Sequence, residues 1–238
     1  MSLLTIIQNA ADRLGIVRPS SAVGSADLQI RQLVALSNQE GRELARAHPW
    51  QAITIETTFT ATATETQTGA IPAGFDRFVT GTVFNRTSHR KVTGPMTSME
   101  WAEYKGRSQS PIYDAFRVRG SAMLLAPTPT AGDTYAFEYV SKYWCTTAAG
   151  TSGTLDAWSA DDNVAVLDEE LLTDGLIWRF LRAKGLDYSE AFRTYETQKM
   201  LLMARDGGSR PTNIANGGGR NHRGPWKPTF PESSWSIT

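Results

Sequence analysis

The sequence has one cysteine and three histidines, and those shortages exclude a good deal of chemistry. A lone Cys145 rules out an internal disulfide framework and a thiolate-rich metal centre. The histidines, His48, His89 and His222, share no segment and no i, i+4 spacing, so the sequence offers no metal site. An excess of either charge is also missing: 24 Lys and Arg balance 24 Asp and Glu over 238 residues. That balance argues against a chain that is basic overall for nucleic acid or acidic overall as a solvating tail. No apolar run approaches the ~18 residues of a membrane span. Met1-Ser-Leu-Leu-Thr5 lacks the basic-then-apolar pattern of a secretory signal. These absences predict a soluble protein folded in a reducing compartment, without membrane or cofactor.

What is present is a hydrophobic content of 40%, enough for a core, arranged in blocks of different period. Up to about Trp50 the period is helical. Leu3, Leu4, Ile7, Ala10, Ala11 and Leu14 form one stripe that Gly15 and Pro19 close. Ser25 is the expected N-cap of a second helix, with Leu28, Leu33, Leu36, Leu44 and Ala47 on its apolar side. Arg31, Glu40, Arg42, Glu43 and Arg46 make its charged face, and Pro49 ends it near His48.

From Ala52 the period becomes two. Ile53, Ile55, Thr57, Phe59, Ala61 and Ala63 alternate with Thr and Glu, a half-exposed strand. Phe78, Val79, Thr82, Val83 and Phe84 read as another strand, with a turn beginning at Asn85. Thr97 and Glu100 form a capping box opening a short helix with Trp101 and Tyr104. Tyr113 to Val118 and Ala122 to Ala126 make a hairpin about Gly120, ended by Pro127 and Pro129. Asp133 to Trp144 alternates again. A loop over 145–163 then returns to helices: Val166 to Leu181 is a broad apolar face closed by Gly185. A second capping box, Asp187 to Glu190, opens the last helix, which ends around Arg205. The predicted fold is α+β. N- and C-terminal helices (1–51 and 146–206) form a bundle, an antiparallel β unit (52–145) is inserted, and an extended tail (207–238) follows.

That tail is rich in glycine and proline yet carries Ile214, Trp226, Phe230, Trp235 and Ile237, with Arg210, Arg220, Arg223 and Lys227 in local positive excess. Its composition forms no core by itself. Aromatics and arginines are the residues that anchor interfaces, so Arg210, Arg223, Trp226, Phe230 and Trp235 are the candidate partner-binding residues.

Catalytic candidates are thin. Cys145 follows Tyr143-Trp144 without an evident base, which reads as a buried structural thiol. Asp156, Asp161, Asp162, Asp168, Glu169 and Glu170 are the densest carboxylates, but they lack the alternation of a calcium loop and read as caps and solvated loop. The glycine runs at Gly207 and Gly217 follow a helix and lack the Lys-Ser/Thr of a phosphate loop. Two other functions stay open: a tail-associated hydrolase using Asp161, Asp162 or Glu169, and a glycan- or surface-binding module using Trp101, Tyr113 and Tyr143.

Several stretches carry a family resemblance when taken in order. They are Glu40-Gly-Arg-Glu-Leu-Ala-Arg-Ala-His-Pro-Trp50 before a Thr-rich strand, Ile71-Pro-Ala-Gly-Phe-Asp-Arg-Phe78, Phe116-Arg-Val-Arg-Gly120, Phe137-Glu-Tyr-Val-Ser-Lys142 and Leu167-Asp-Glu-Glu-Leu-Leu172. Ile177-Trp-Arg-Phe-Leu-Arg-Ala-Lys-Gly-Leu-Asp-Tyr188 and Ala204-Arg-Asp-Gly-Gly208 complete the run. Over roughly residues 1–208 the chain resembles phage head-to-tail adaptors of the tail-accessory, tail tubular protein A group. The resemblance implies a non-enzymatic virion protein in the neck, assembled in the host cytoplasm as a ring of commonly twelve copies. Such a ring sits under the portal protein, joins it to the next tail or nozzle protein, and leaves a channel through which genomic DNA passes without sequence-specific binding. Neighbouring copies would be partners, and charged stripes including Arg31, Arg42, Arg46, Arg179, Arg182 and Arg193 with Glu40, Glu43, Glu190 and Glu196 could pair between them.

Overall fold

In the computed structural model, which describes residues 2–106, 113–148, 150 and 152–207, the period changes of the sequence become changes of secondary structure. Helix α1 (Leu3–Leu14) is capped by Ser2, whose hydroxyl accepts from Thr5 N, and is stopped by Gly15 at φ 68°. Only a residue at ease in left-handed geometry ends a helix this way. Helix α2 (Leu28–Ala47) ends at His48 before Pro49, as expected. Its N-cap, however, is Asp27, which accepts from Gln29 N at 2.8 Å. Ser25, the expected cap, instead accepts from Asp27 N and braces the turn. Leu28 also departs from expectation, being 73% exposed. The buried stripe runs Ile30, Leu33, Ser37, Glu40, Gly41, Leu44, and Leu28 lies five residues from Leu33, about 140° around the helix.

One 3-10 turn, Gln51–Ile53, leads into the sheet, so β1 (Thr54–Thr60) starts slightly later than the alternation suggests. There follow β2 (Thr66–Gln67), β3 (Phe75–Phe78), β4 (Phe84–Asn85), β5 (Arg90–Thr93), helix α3 (Ser98–Gly106), β6 (Asp114–Arg119), β7 (Ala122–Ala126) and β8 (Thr134–Ser141). The single strand expected through Phe78 and Phe84 is two, parted by a turn with Gly81 at φ 83° and tied by the Thr82 hydroxyl donating to Val79 O. The capping box of α3 closes as expected: Thr97 Oγ1 accepts from Glu100 N, and Glu100 Oε2 accepts from Thr97 N.

The strand order is β1-β8-β4-β5-β6-β7-β2, with β3 also on β8. β8 is the spine, pairing β1 along its length on one side and β3 and β4 on the other. All pairings are antiparallel except β5 with β6, where α3 makes the crossover that a parallel pair requires, so the sheet is mixed. A short ladder of β9 (Cys145–Thr146) and β10 (Val164–Ala165) returns the chain to α4 (Glu169–Ala183) and α5 (Ser189–Asp206). The second expected capping box does not close. Asp187 accepts from Ser189 N, but Tyr188 holds the N-cap position of α5 and provides no side-chain bond.

Two larger cores result. The helical one gathers α1, α2, α4 and the end of β8 around Trp144, which is fully buried. Helix α4 is its centre, buried at every position from Leu171 to Phe180 and packed on α1, α2 and α5. The sheet core is aromatic, built on Phe116, Tyr135, Phe137 and Tyr139. A smaller cluster seats Trp101 and Tyr104 of α3 on Ala115, Leu124 and Ala126.

Candidate functional site

The helical layer is held together by a buried ion network. Glu40 of α2 is fully buried, and Arg179 of α4 donates to it through Nε and to Glu43 Oε2 at 2.6 Å through a terminal nitrogen. Tyr195, the one buried residue of α5, donates its hydroxyl to Glu40. Three helices therefore meet on a single carboxylate. Room for it comes from Gly175, where a Cβ would lie 2.5 Å from the Glu40 carboxyl carbon. Gly41 does the same for Trp144, whose ring a Cβ would overlap. Burial pushes the Glu40 carboxyl above its usual range, against the pull of Tyr195 and Arg179. The Tyr195 hydroxyl is raised by burial and by the adjacent carboxylate. Above this network Trp178 packs against Phe192, Tyr195 and Tyr188 at ring separations of 5.1, 6.0 and 6.4 Å.

Of the carboxylates singled out from sequence, Asp161 and Asp168 have architectural roles. Asp161 locks the loop between α1 and α2, accepting from Val23 N at 2.6 Å, Ala22 N at 3.1 Å and the Ser21 hydroxyl at 2.7 Å. Although partial burial pushes its carboxyl up, those bonds hold it below the usual aspartate range. Asp168 caps α4 through Leu171 N, Glu169 and Glu170 fill the first turn, and the main-chain oxygen of Asp156 accepts from Trp144 Nε1. Cys145 is fully buried and its thiol, raised to about 12 by burial, donates to Leu155 O, so it is a structural thiol. His48 lies against Trp50 and Asp206, and His89 sits at φ 55° in the turn between β4 and β5. Among the described residues no group of His, Cys, Asp and Glu is arranged to hold a metal ion. Of the aromatics considered for a surface site, Trp101 is buried under α3. Tyr113 meets Tyr104 at 5.5 Å, and Tyr143 lies with Lys142.

The stripes read as charged faces separate into two groups. Arg179 and Glu40 are buried, a correction to their reading as exposed, whereas Glu43 stays exposed and pairs with Arg179 from outside. Arg31, Arg42, Arg46, Arg182, Arg193 and Glu190 are exposed, and Glu196 pairs with Lys199. The sequence did hold a signal for the network: Gly41 and Gly175 stand inside long helices, where glycine is costly unless something approaches closely. Helix α5 leaves Phe192, Met200 and Leu201 exposed, with Leu186 and Tyr188 just before it. Arg210, Arg223, Trp226, Phe230, Trp235 and His222 lie outside the described residues. No helix among the described residues is long and apolar enough to cross a membrane.

A family model described as SU10 adaptor protein matches residues 1–215. The chain belongs to the SU10 adaptor protein family, in agreement with the resemblance to phage head-to-tail adaptors. No curated protein matches it.

Proposed function

We propose that this chain is a neck protein of the virion, forming a ring of twelve copies beneath the portal and joining it to the next tail or nozzle protein. The ring leaves a lumen through which genomic DNA passes without sequence-specific contact. It forms in the host cytoplasm and works by surface fit, without turnover. The observation that carries this reading is the adaptor-family match over residues 1–215. The fold supports it: a rigid helical layer fixed by buried charge, and a sheet extending from it, suit a spacer that must keep its shape under load.

The C-terminal segment supplies the portal contact, through Arg210, Arg223, Trp226, Phe230 and Trp235. Ordering a segment costs ~1–2 kcal/mol per residue in backbone entropy. Apolar anchors must offset that cost, since exposed ion pairs contribute only ~0–1 kcal/mol each. Electron microscopy of the protein mixed with its portal tests the whole reading, with a closed ring on the portal's tail-side face as the expected image. Deleting residues 209–238 should abolish portal binding while leaving the unfolding transition of the remainder in place. Undiminished binding would remove the segment from the account.

A further inference from the structure

Glu40 is buried against Arg179, and Glu43, although half exposed, is paired with the same guanidinium, so the outward face of α2 carries its arginines with its one exposed carboxylate already engaged. Arg42 and Arg46 are exposed there, and together with Lys142, just past the end of β8, they border a cleft of about 80 Å³ floored by Ala45 and Ser141. Arg42 is held in place by the main-chain oxygen of Asp156, which accepts from its Nε at 3.2 Å. Of the two carboxylates on the rim, Asp76 is taken by Arg77 at 2.7 Å, leaving Asp156. Arg46 and Lys142 have no ion-pair partner among the described residues.

On other elements the sign is reversed. Between α1 and α4 lies a groove of about 440 Å³ bordered by Asp12, Glu169 and Glu170. Its own cation, Arg13, is bound to Asp174 at 2.7 Å, and Asp12 is met by Arg18 in an exposed pair at 3.4 Å, which contributes only ~0–1 kcal/mol. Two unlike surfaces of opposite sign on one chain are what a heterologous contact needs, and a heterologous contact is the kind that closes into a ring.

We infer that the carboxylates of the α1–α4 groove of one copy dock on the Arg42–Arg46–Lys142 cleft of the next. The inference rests on the ring reading above and names its contact. A second copy fits this cleft better than duplex DNA does. Discrete carboxylates can meet the three cations and avoid Asp76 and Asp156, whereas a continuous phosphate backbone would face those rim carboxylates as well. Complementary charge of this kind sets orientation and register more than affinity.

The test is a charge swap between copies. Arg46→Glu and Glu170→Lys, both exposed positions, should each reduce ring formation on the portal by at least about tenfold, because like charges then face each other. An equimolar mixture of the two variants should restore it, since every contact in an alternating ring again pairs opposite charges. Lys142→Glu with Asp12→Lys provides an independent pair should either first variant fail to show a wild-type melting transition. Wild-type protein that forms no ring on the portal would remove the ring reading, and this contact with it. Wild-type rings with unaffected single variants, or folded variants that the mixture does not rescue, would overturn the contact alone. Loss of binding to a 20-base-pair duplex by Arg46→Glu, with ring formation intact, would assign the cleft to DNA and overturn it equally.

Discussion

The helical layer and the sheet solve the same packing problem with different materials. In the sheet the interior is made of rings: Phe78 lies 5.0 Å from Phe137 and 5.2 Å from Phe116, and Phe59 stacks on Tyr135 at 5.4 Å. Each such pair adds ~0.5–1.5 kcal/mol beyond its buried area. No carboxylate enters that cluster, and Tyr135, raised to about 12 by burial, stays neutral through any ordinary pH. In the helical layer a full ion pair is buried, and three helices depend on it. The difference teaches where the molecule tolerates change. Aromatic packing degrades by degrees, while a buried carboxylate that loses its partner is a single uncompensated charge.

The largest expected effect therefore comes from Arg179→Ala. Removing one partner of a buried pair costs about 3–5 kcal/mol, read from denaturant unfolding at neutral pH. Phe137→Ala in the sheet should cost about the same, ~3–5 kcal/mol, and the two are told apart by pH. Glu40 has a folded value raised above its ordinary 4.5. A raised carboxyl favours the folded state when protonated and loses that advantage as pH rises. The Arg179→Ala penalty should accordingly shrink as pH falls toward 4.5, while the Phe137→Ala penalty stays flat. Equal pH profiles would break the contrast between the layers.

Smaller effects sharpen it. Tyr195→Phe deprives Glu40 of one donor and should cost about 1–3 kcal/mol. Hydrogen exchange should show faster opening in α5 and unchanged protection in β8. Thr97→Ala opens the α3 capping box for about 1 kcal/mol, confined by the same measurement to residues 98–106. Asp161→Asn should be the mildest at neutral pH. Its carboxyl lies below the ordinary 3.8 when folded, so its contribution is present above that value and is lost as pH falls through the lowered one. The variant should be less stable than the wild type at neutral pH and converge on it in acid, so its stability should fall less steeply as pH is lowered.

Local signals in the sequence predicted local structure well. Gly15, Pro49, the Thr97–Glu100 box and the Gly120 hairpin end or begin elements where their chemistry requires, and the strand expected after Asp133 is β8, the spine of the sheet, although burial on both faces replaces the expected alternation. Three local expectations failed, the Ser25 cap, the Asp187 box and the unbroken strand through Gly81, and most of the other failures were set by partners distant in sequence. Glu40 and Arg179 are 139 residues apart, and a charged residue on a helix looks solvent-facing until the other helix is in place. Leu28 looked buried because its type is apolar, although its angle placed it outside. The parallel β5–β6 pair could not be read because hairpin reasoning covers only neighbouring strands. The candidate site divides the same way: the sequence marked exposed arginines on α2, but only the fold showed which of the nearby acids were already engaged.

Asp206, the last residue of α5, accepts from Gln51 N at 2.9 Å and lies 3.4 Å from His48 Nε2. The final helix is thus pinned, at its far end, to the elbow where α2 hands over to β1. Any shift of that helix end is therefore felt at once by the joint between the first strand and the helices, as a strut bolted to a hinge carries its movement to both leaves.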